Sequence, residues 1–194
     1  MVDSLDEVID RLAALIGVDM GAERDDEHKR WELYCRALDD LDESRAELLH
    51  EVVRLEGEGE IALAVALRVL PVVPSERRPG WVNQLADERN RRYADNRRAD
   101  LDLLDRFREL PDGADVECDV TSWSQWLQLR MALNVEHAGV LEQLASSGST
   151  KRIRRTAGER LSRQDVDPPG GGWDVMTTPP RLAGWRSGST PSPP

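Results

Sequence analysis

A short pattern repeats in the C-terminal part of this 194-residue chain, and it constrains the fold more than any other feature. Leu129–Arg130 recurs 24 positions later as Ile153–Arg154, and an alanine follows each pair within about one helical turn, at Ala132 and Ala157. Similarity at a fixed short period is typical of a small helical unit that has been copied and stacked. Because stacked helical units form surfaces more often than reaction centres, we expect a binding surface here.

Helical spacing of hydrophobic residues extends over most of the chain. Leu5–Ile16 is an amphipathic stretch that Gly17 ends, and residues 17–26 form a polar connector. Ile61–Leu70 is apolar on nearly every side, so this helix needs neighbours in several directions and is expected at the centre of the core. Since no convincing alternating strand pattern occurs, the sequence predicts an all-α domain over residues 27–164.

Three sites have the residues that typically begin a helix. Ser44 with Glu47, and Ser122 with Gln125, have the spacing of capping boxes, in which the side chain of each residue bonds the backbone N–H of the other. Thr150 stands just before the last apolar stripe. We therefore predict helix starts at these three sites.

The last thirty residues differ from the rest in composition. Residues 165–194 are rich in Pro, Gly and Ser, which predicts a disordered C-terminal tail. Trp173 and Trp185 are large aromatic residues in a segment that has no core of its own. Exposed aromatic side chains often anchor in a partner's pocket, so both are candidate docking residues. The alternative is that the tail lies against the chain's own helices.

The net charge of −11 is concentrated near the N-terminus: residues 1–60 carry 19 acidic and 7 basic side chains. This distribution argues against a general polyanion binder and favours solubility or a basic partner. Cys35 and Cys118 are too far apart to indicate a disulfide framework or a metal cluster. The acidic N-terminus and the short apolar runs predict a soluble, cytoplasmic protein without membrane contact, whose oligomeric state stays open.

The residues expected of an enzyme do not form a recognisable set. The three histidines lie in different helical neighbourhoods, and HExxH, CxxC and Gly-rich phosphate-loop motifs are missing. Four aspartates could be imagined as cation ligands, but helical spacing scatters them over several faces. We expect no catalytic residues, no metal and no cofactor. These histidines and aspartates are His28, His50, His137, Asp95, Asp100, Asp102 and Asp105.

Two arginine-rich stretches are stronger candidates for binding, because guanidinium groups contact phosphate backbones. One alternative is the polar outer face that a terminal helix needs. Another is that the acidic N-terminal region folds back on them, through ion pairs of low individual value. The first stretch contains Arg89, Arg91, Arg92, Arg97 and Arg98. The second contains Lys151, Arg152, Arg154, Arg155, Arg160 and Arg163, opposed only by Glu159.

Residues 122–161 resemble short helical repeats of the HEAT and leucine-rich-variant kind. The matching positions are Leu129–Ala132 with Asn134, then Val140–Ala145, then Ile153–Ala157. The resemblance implies antiparallel helix pairs stacked into a short α-solenoid, in which Arg130 and Arg154 organise turns between units. The cysteine cluster of the leucine-rich-variant type is missing. Such repeats serve many partners, so the resemblance does not specify a function.

These observations favour a non-enzymatic protein–protein interaction module, an adaptor or scaffold that binds another protein. One alternative is a nucleic-acid-associated protein that uses the arginine-rich helices on phosphates. A second is an acidic neutralising protein of the antitoxin or immunity kind, whose residues 1–60 mask a basic partner. The candidate partner-binding residues are Trp123, Trp126, Lys151, Arg152, Arg155 and Arg163.

Overall fold

The computed structural model describes residues 4–111, 114, 116 and 118–166. Over these residues the chain forms nine α-helices and no strand, which confirms the all-α prediction. Among the same residues, no helix has the length and apolar character needed to span a membrane. The helices are α1 (Leu5–Ile16), α2 (Glu27–Asp39), α3 (Glu43–Leu55), α4 (Gly59–Val69), α5 (Arg78–Gln84), α6 (Glu88–Arg108), α7 (Gln125–Asn134), α8 (Ala138–Ser147) and α9 (Lys151–Val166).

The boundaries of the predicted tail and connector differ slightly from expectation. α9 continues through the first two residues of the predicted tail, and residues 167–194, with Trp173 and Trp185, lie outside the described residues. In the connector, Gly17 ends α1 with a φ of 69°, a left-handed conformation that favours glycine. Met20 is buried, and a 3₁₀ turn follows it at Gly21–Asp25. α1 therefore packs on the body of the molecule, against α2 and α3.

Two of the three predicted helix starts were wrong by two residues. The Asp42 side chain, not Ser44, caps α3, and the Ser124 side chain, not Ser122, caps α7. Ser122 instead lies in a 3₁₀ turn. The Thr150 hydroxyl accepts the N–H three residues on, as predicted for the start of α9. Asp and Ser cap helices about equally well, so neighbouring candidates cannot be separated by residue type.

The helices bury their apolar faces in two adjoining clusters. α1–α5 and the part of α6 up to Leu101 enclose the larger core, in which Val65 and Ala66 of α4 are fully buried. The end of α6 and α7–α9 enclose the smaller core around Met131, Leu141 and Ile153. The 21 residues of α6 therefore support both cores.

The packing order is consistent with helix pairs, although the solenoid stays a prediction. α1 packs on α2 and α3, α4 packs on α3 and α6, and α7 packs on α8 and α9. Ala132 and Ala157, the alanines of the repeated pattern, are both fully buried. Leu133, the next residue of α7 after Ala132, is 46% exposed.

Candidate functional site

An open groove with a volume of about 830 Å³ lies between α4 and α6. On each helix most lining residues follow one another at spacings of three and four positions, so each helix presents one face to the groove. α4 contributes Glu60, Leu63, Ala64 and Leu67, and α6 contributes Arg89, Asn90, Arg92, Tyr93 and Asn96.

A hydrogen bond fixes the two walls of this groove at one end. The Asn90 side-chain amide at the start of α6 donates to the carbonyl of Gly59 at the start of α4, over 2.9 Å. A Cβ atom at Gly59 would lie only 3.2 Å from the Asn90 amide nitrogen, so glycine permits the close approach. The first turns of α4 and α6 therefore meet at this end of the groove.

The floor of the groove is apolar and only partly covered. Leu63, Ala64 and Leu67 are half-buried, whereas the opposite face of α4 is fully buried. Tyr93 is 51% exposed and stands on the α6 wall. A helix that is apolar on nearly every side needs neighbours in several directions, and the described chain leaves this side of α4 open.

The rim of the groove carries mixed charge. Arg89 is exposed and has no ion-pair partner in the described part of the chain. Arg92 lies 3.4 Å from Glu88, and both side chains are largely exposed, so this pair leaves the guanidinium accessible. Glu60 stands on the α4 side. The α6 rim is therefore positive, and the start of the α4 rim is negative.

The other three arginines of the first basic stretch are bound by neighbouring groups of the protein. Arg91 donates to the carbonyl of Leu85 from Nε over 3.2 Å and from Nη2 over 2.9 Å. Arg98 pairs with Asp95 at 2.7 Å and with Asp102 at 2.8 Å. The Arg97 guanidinium stacks over the Trp126 ring. Only Arg89 and Arg92 of this stretch line the groove.

The aspartates of α6 bind arginines and a serine. Arg78 is buried, and it donates to Asp102 over 2.7 Å, to Asp105 over 2.5 Å and to the carbonyl of Leu70 over 3.0 Å. Asp100 accepts a hydrogen bond from the Ser124 hydroxyl over 2.6 Å. Among the described residues, no group of three or more His, Cys, Asp or Glu side chains is arranged to hold a metal ion.

The two tryptophans predicted to lie near a docking surface pack within the protein. Trp123 meets Phe107 edge to face, with ring centroids 5.4 Å apart. Trp126 contacts both cores, and its ring lies 3.7 Å from the Arg97 guanidinium carbon and 5.4 Å from that of Arg130. The repeat resemblance assigned Arg130 and Arg154 to turns, and Arg154 does donate to Gly148 in the α8–α9 turn.

Arg30, Tyr34 and Glu56 form a buried polar network in the larger core. Arg30 and Glu56 form two parallel hydrogen bonds of 3.1 and 3.0 Å. The Tyr34 hydroxyl donates to the same carboxylate over 3.0 Å. Burial, together with the negative charge of Glu56, raises the pKa of Tyr34 above its usual range. The arrangement joins α2 to the end of α3 and leaves no reactive group in this network.

The histidines do not come together with a nucleophile. His50 packs edge to face on Trp81, with ring centroids 4.9 Å apart. His137 Nε2 lies 2.5 Å from the carbonyl oxygen of Ala114, and His28 is exposed beside Glu27. His50 therefore packs on an aromatic ring, His137 lies beside a loop carbonyl, and His28 faces solvent.

Arg89 and Arg92 of the groove were binding candidates from the sequence, whereas its apolar residues were not identified as a site, although two signals pointed to them. Ile61–Leu70 lacked a polar face, and Tyr93 was the only sizeable apolar side chain in the solvated half of α6. Both signals mark apolar surface without an obvious partner. That they face the same groove depends on how α4 and α6 pack.

The sequence matches no family model, and comparisons with curated proteins and with solved structures give no significant match. The function is therefore inferred from the geometry and chemistry of these surfaces alone.

Proposed function

We propose that this protein is a non-enzymatic protein-binding module that holds an amphipathic helix of its partner in the α4–α6 groove. The supporting observation is the apolar floor that the described chain leaves open, with half-exposed Tyr93 beside Leu63 and Leu67. Grooves between helices commonly accept the apolar face of a third helix. Tyrosine is also among the residues that contribute most to binding energy at protein interfaces.

The residues that line the groove predict which side chains the bound helix would carry. Apolar residues at spacings of three, four and seven positions would meet the floor formed by Leu63 and Leu67. Acidic residues on the flank that faces α6 would meet Arg89 and Arg92. Such rim pairs increase the association rate and make it depend on salt, while the apolar contacts supply most of the affinity.

A displayed library of helical peptides about 20 residues long tests this proposal, because it samples many partner sequences at once. Selection on the full chain should yield peptides with an apolar stripe and an acidic flank. Changing Tyr93→Ser together with Leu67→Gln should weaken the selected peptides roughly 10- to 100-fold, because two central contacts are lost. Titration of labelled peptides measures the change in Kd.

The matched control changes two exposed leucines outside the groove, Leu15→Gln with Leu133→Gln, on α1 and α7. This variant should bind the peptides as the unchanged chain does. Equal loss of binding in both variants would contradict the groove as the docking site. Basic peptides that bind to the carboxylates of residues 1–60 would favour the neutralising-protein alternative instead.

A further inference from the structure

The outer face of α9 carries a continuous row of cations. Ile153 and Ala157 point into the smaller core, where they are 1% and 0% exposed. The opposite face is exposed from Lys151 to Arg163, a span of about 18 Å at a rise of about 1.5 Å per residue. Its charged residues, at helical spacings that place them on one side, are Lys151, Arg152, Arg155, Glu159 and Arg163.

Little within the protein neutralises this row. The one ion pair on this face, within the described residues, joins exposed Arg155 and Glu159 at 3.5 Å. The acidic N-terminal region does not fold back on α9, because no carboxylate of residues 4–60 pairs with it in the described part of the chain. The first turn of α9 also contains no acidic residue.

The position of these cations is unfavourable for the helix itself. Lys151 and Arg152 lie in the first turn, where the positive end of the helix dipole disfavours positive side chains. They therefore add positive potential to an end of the helix that is already positive. If the outer face of α9 only needed to be polar, acidic or neutral residues would serve as well as these cations.

The composition of the face distinguishes between classes of partner. Protein interfaces normally have an apolar centre, and the outer face of α9 presents only charged and hydroxyl side chains. Nucleic-acid interfaces are polar and strongly positive. Proteins that bind single strands usually stack bases on aromatic side chains, which this face lacks. These features favour the backbone of a duplex.

We propose that Lys151, Arg152, Arg155 and Arg163 bind the phosphate backbone of a nucleic-acid duplex, without reading its sequence. Guanidinium groups match phosphate oxygens through paired hydrogen bonds. The negative charge concentrated in residues 1–60 repels the same phosphates, so the molecule approaches a duplex with α9 foremost. This inference does not depend on the α4–α6 groove.

Fluorescence anisotropy of the full chain with a labelled 20-bp DNA duplex tests the proposal. Four phosphate contacts should make the affinity fall about 150-fold between 50 and 200 mM salt. Duplexes of unrelated sequence should bind equally. A change of Arg152, Arg155 and Arg163 to Gln should abolish binding at 50 mM salt and leave the circular dichroism spectrum unchanged.

The matched control replaces three exposed arginines elsewhere, Arg36, Arg54 and Arg106, with Gln. It changes the net charge equally and should keep binding within about twofold. Equal loss in both variants, or no binding by the unchanged chain at 25 mM salt, would overturn the proposal. So would tighter binding to a single strand, or competition by polyglutamate as effective as by duplex at equal charge.

Discussion

The arginines of α6 and those of α9 lie at similar density along a helix, but they meet different surroundings. In α6, Asp95 and Asp102 stand three or four positions from Arg98, and Trp126 of α7 packs under Arg97. In α9, among the side chains that the structure describes, a single carboxylate, that of Glu159, faces the row of cations. Arginines that have carboxylates or an aromatic ring within reach therefore bind groups of the protein itself. Arginines without such neighbours form a candidate contact surface.

The largest expected effect is at Arg78 of α5, which pairs with two aspartates of α6. Arg78→Leu leaves Asp102 and Asp105 of α6 without their buried cation, and should lower the free energy of unfolding by about 3 kcal/mol. Urea denaturation at neutral pH measures the loss. A change below about 1 kcal/mol would show that the charges of α6 are not structural, and would remove the contrast with α9.

A smaller effect is expected where α6 meets α7. Arg97→Gln removes the guanidinium that lies 3.7 Å from the Trp126 ring, and should cost about 1 kcal/mol of stability. Thermal unfolding followed by tryptophan fluorescence measures it. Arg92→Gln is the matched change on the same helix and should be nearly neutral, because its pair with Glu88 is exposed. Equal costs at both positions would mean that the stacking contributes nothing.

The smallest expected effect is a gain in stability rather than a loss. Arg152→Glu places a negative charge in the first turn of α9, and should raise the free energy of unfolding by about 0.5 kcal/mol. The same variant should bind a duplex more weakly than Arg152→Gln does. Differential scanning calorimetry and anisotropy on one preparation check both results. Lower stability with unchanged binding would indicate that Arg152 serves the fold.

Sequence periodicity was sufficient to predict the helices, because each apolar stripe is a local property. It could not predict that Arg78 is buried, since its carboxylate partners lie 24 and 27 positions further along the chain. Nor could it predict which side of α4 stays open. The pattern showed that Ile61–Leu70 needs several neighbours, but only the packing of α6 determines how many it receives.

Because α6 spans both cores, it couples their unfolding. α6 is continuous and supplies Leu101 to one core and Leu104 to the other. Unfolding of α6 therefore disrupts the packing of both halves. We expect the two halves to melt together in one cooperative transition, so that probes placed in α3 and in α8 report the same midpoint.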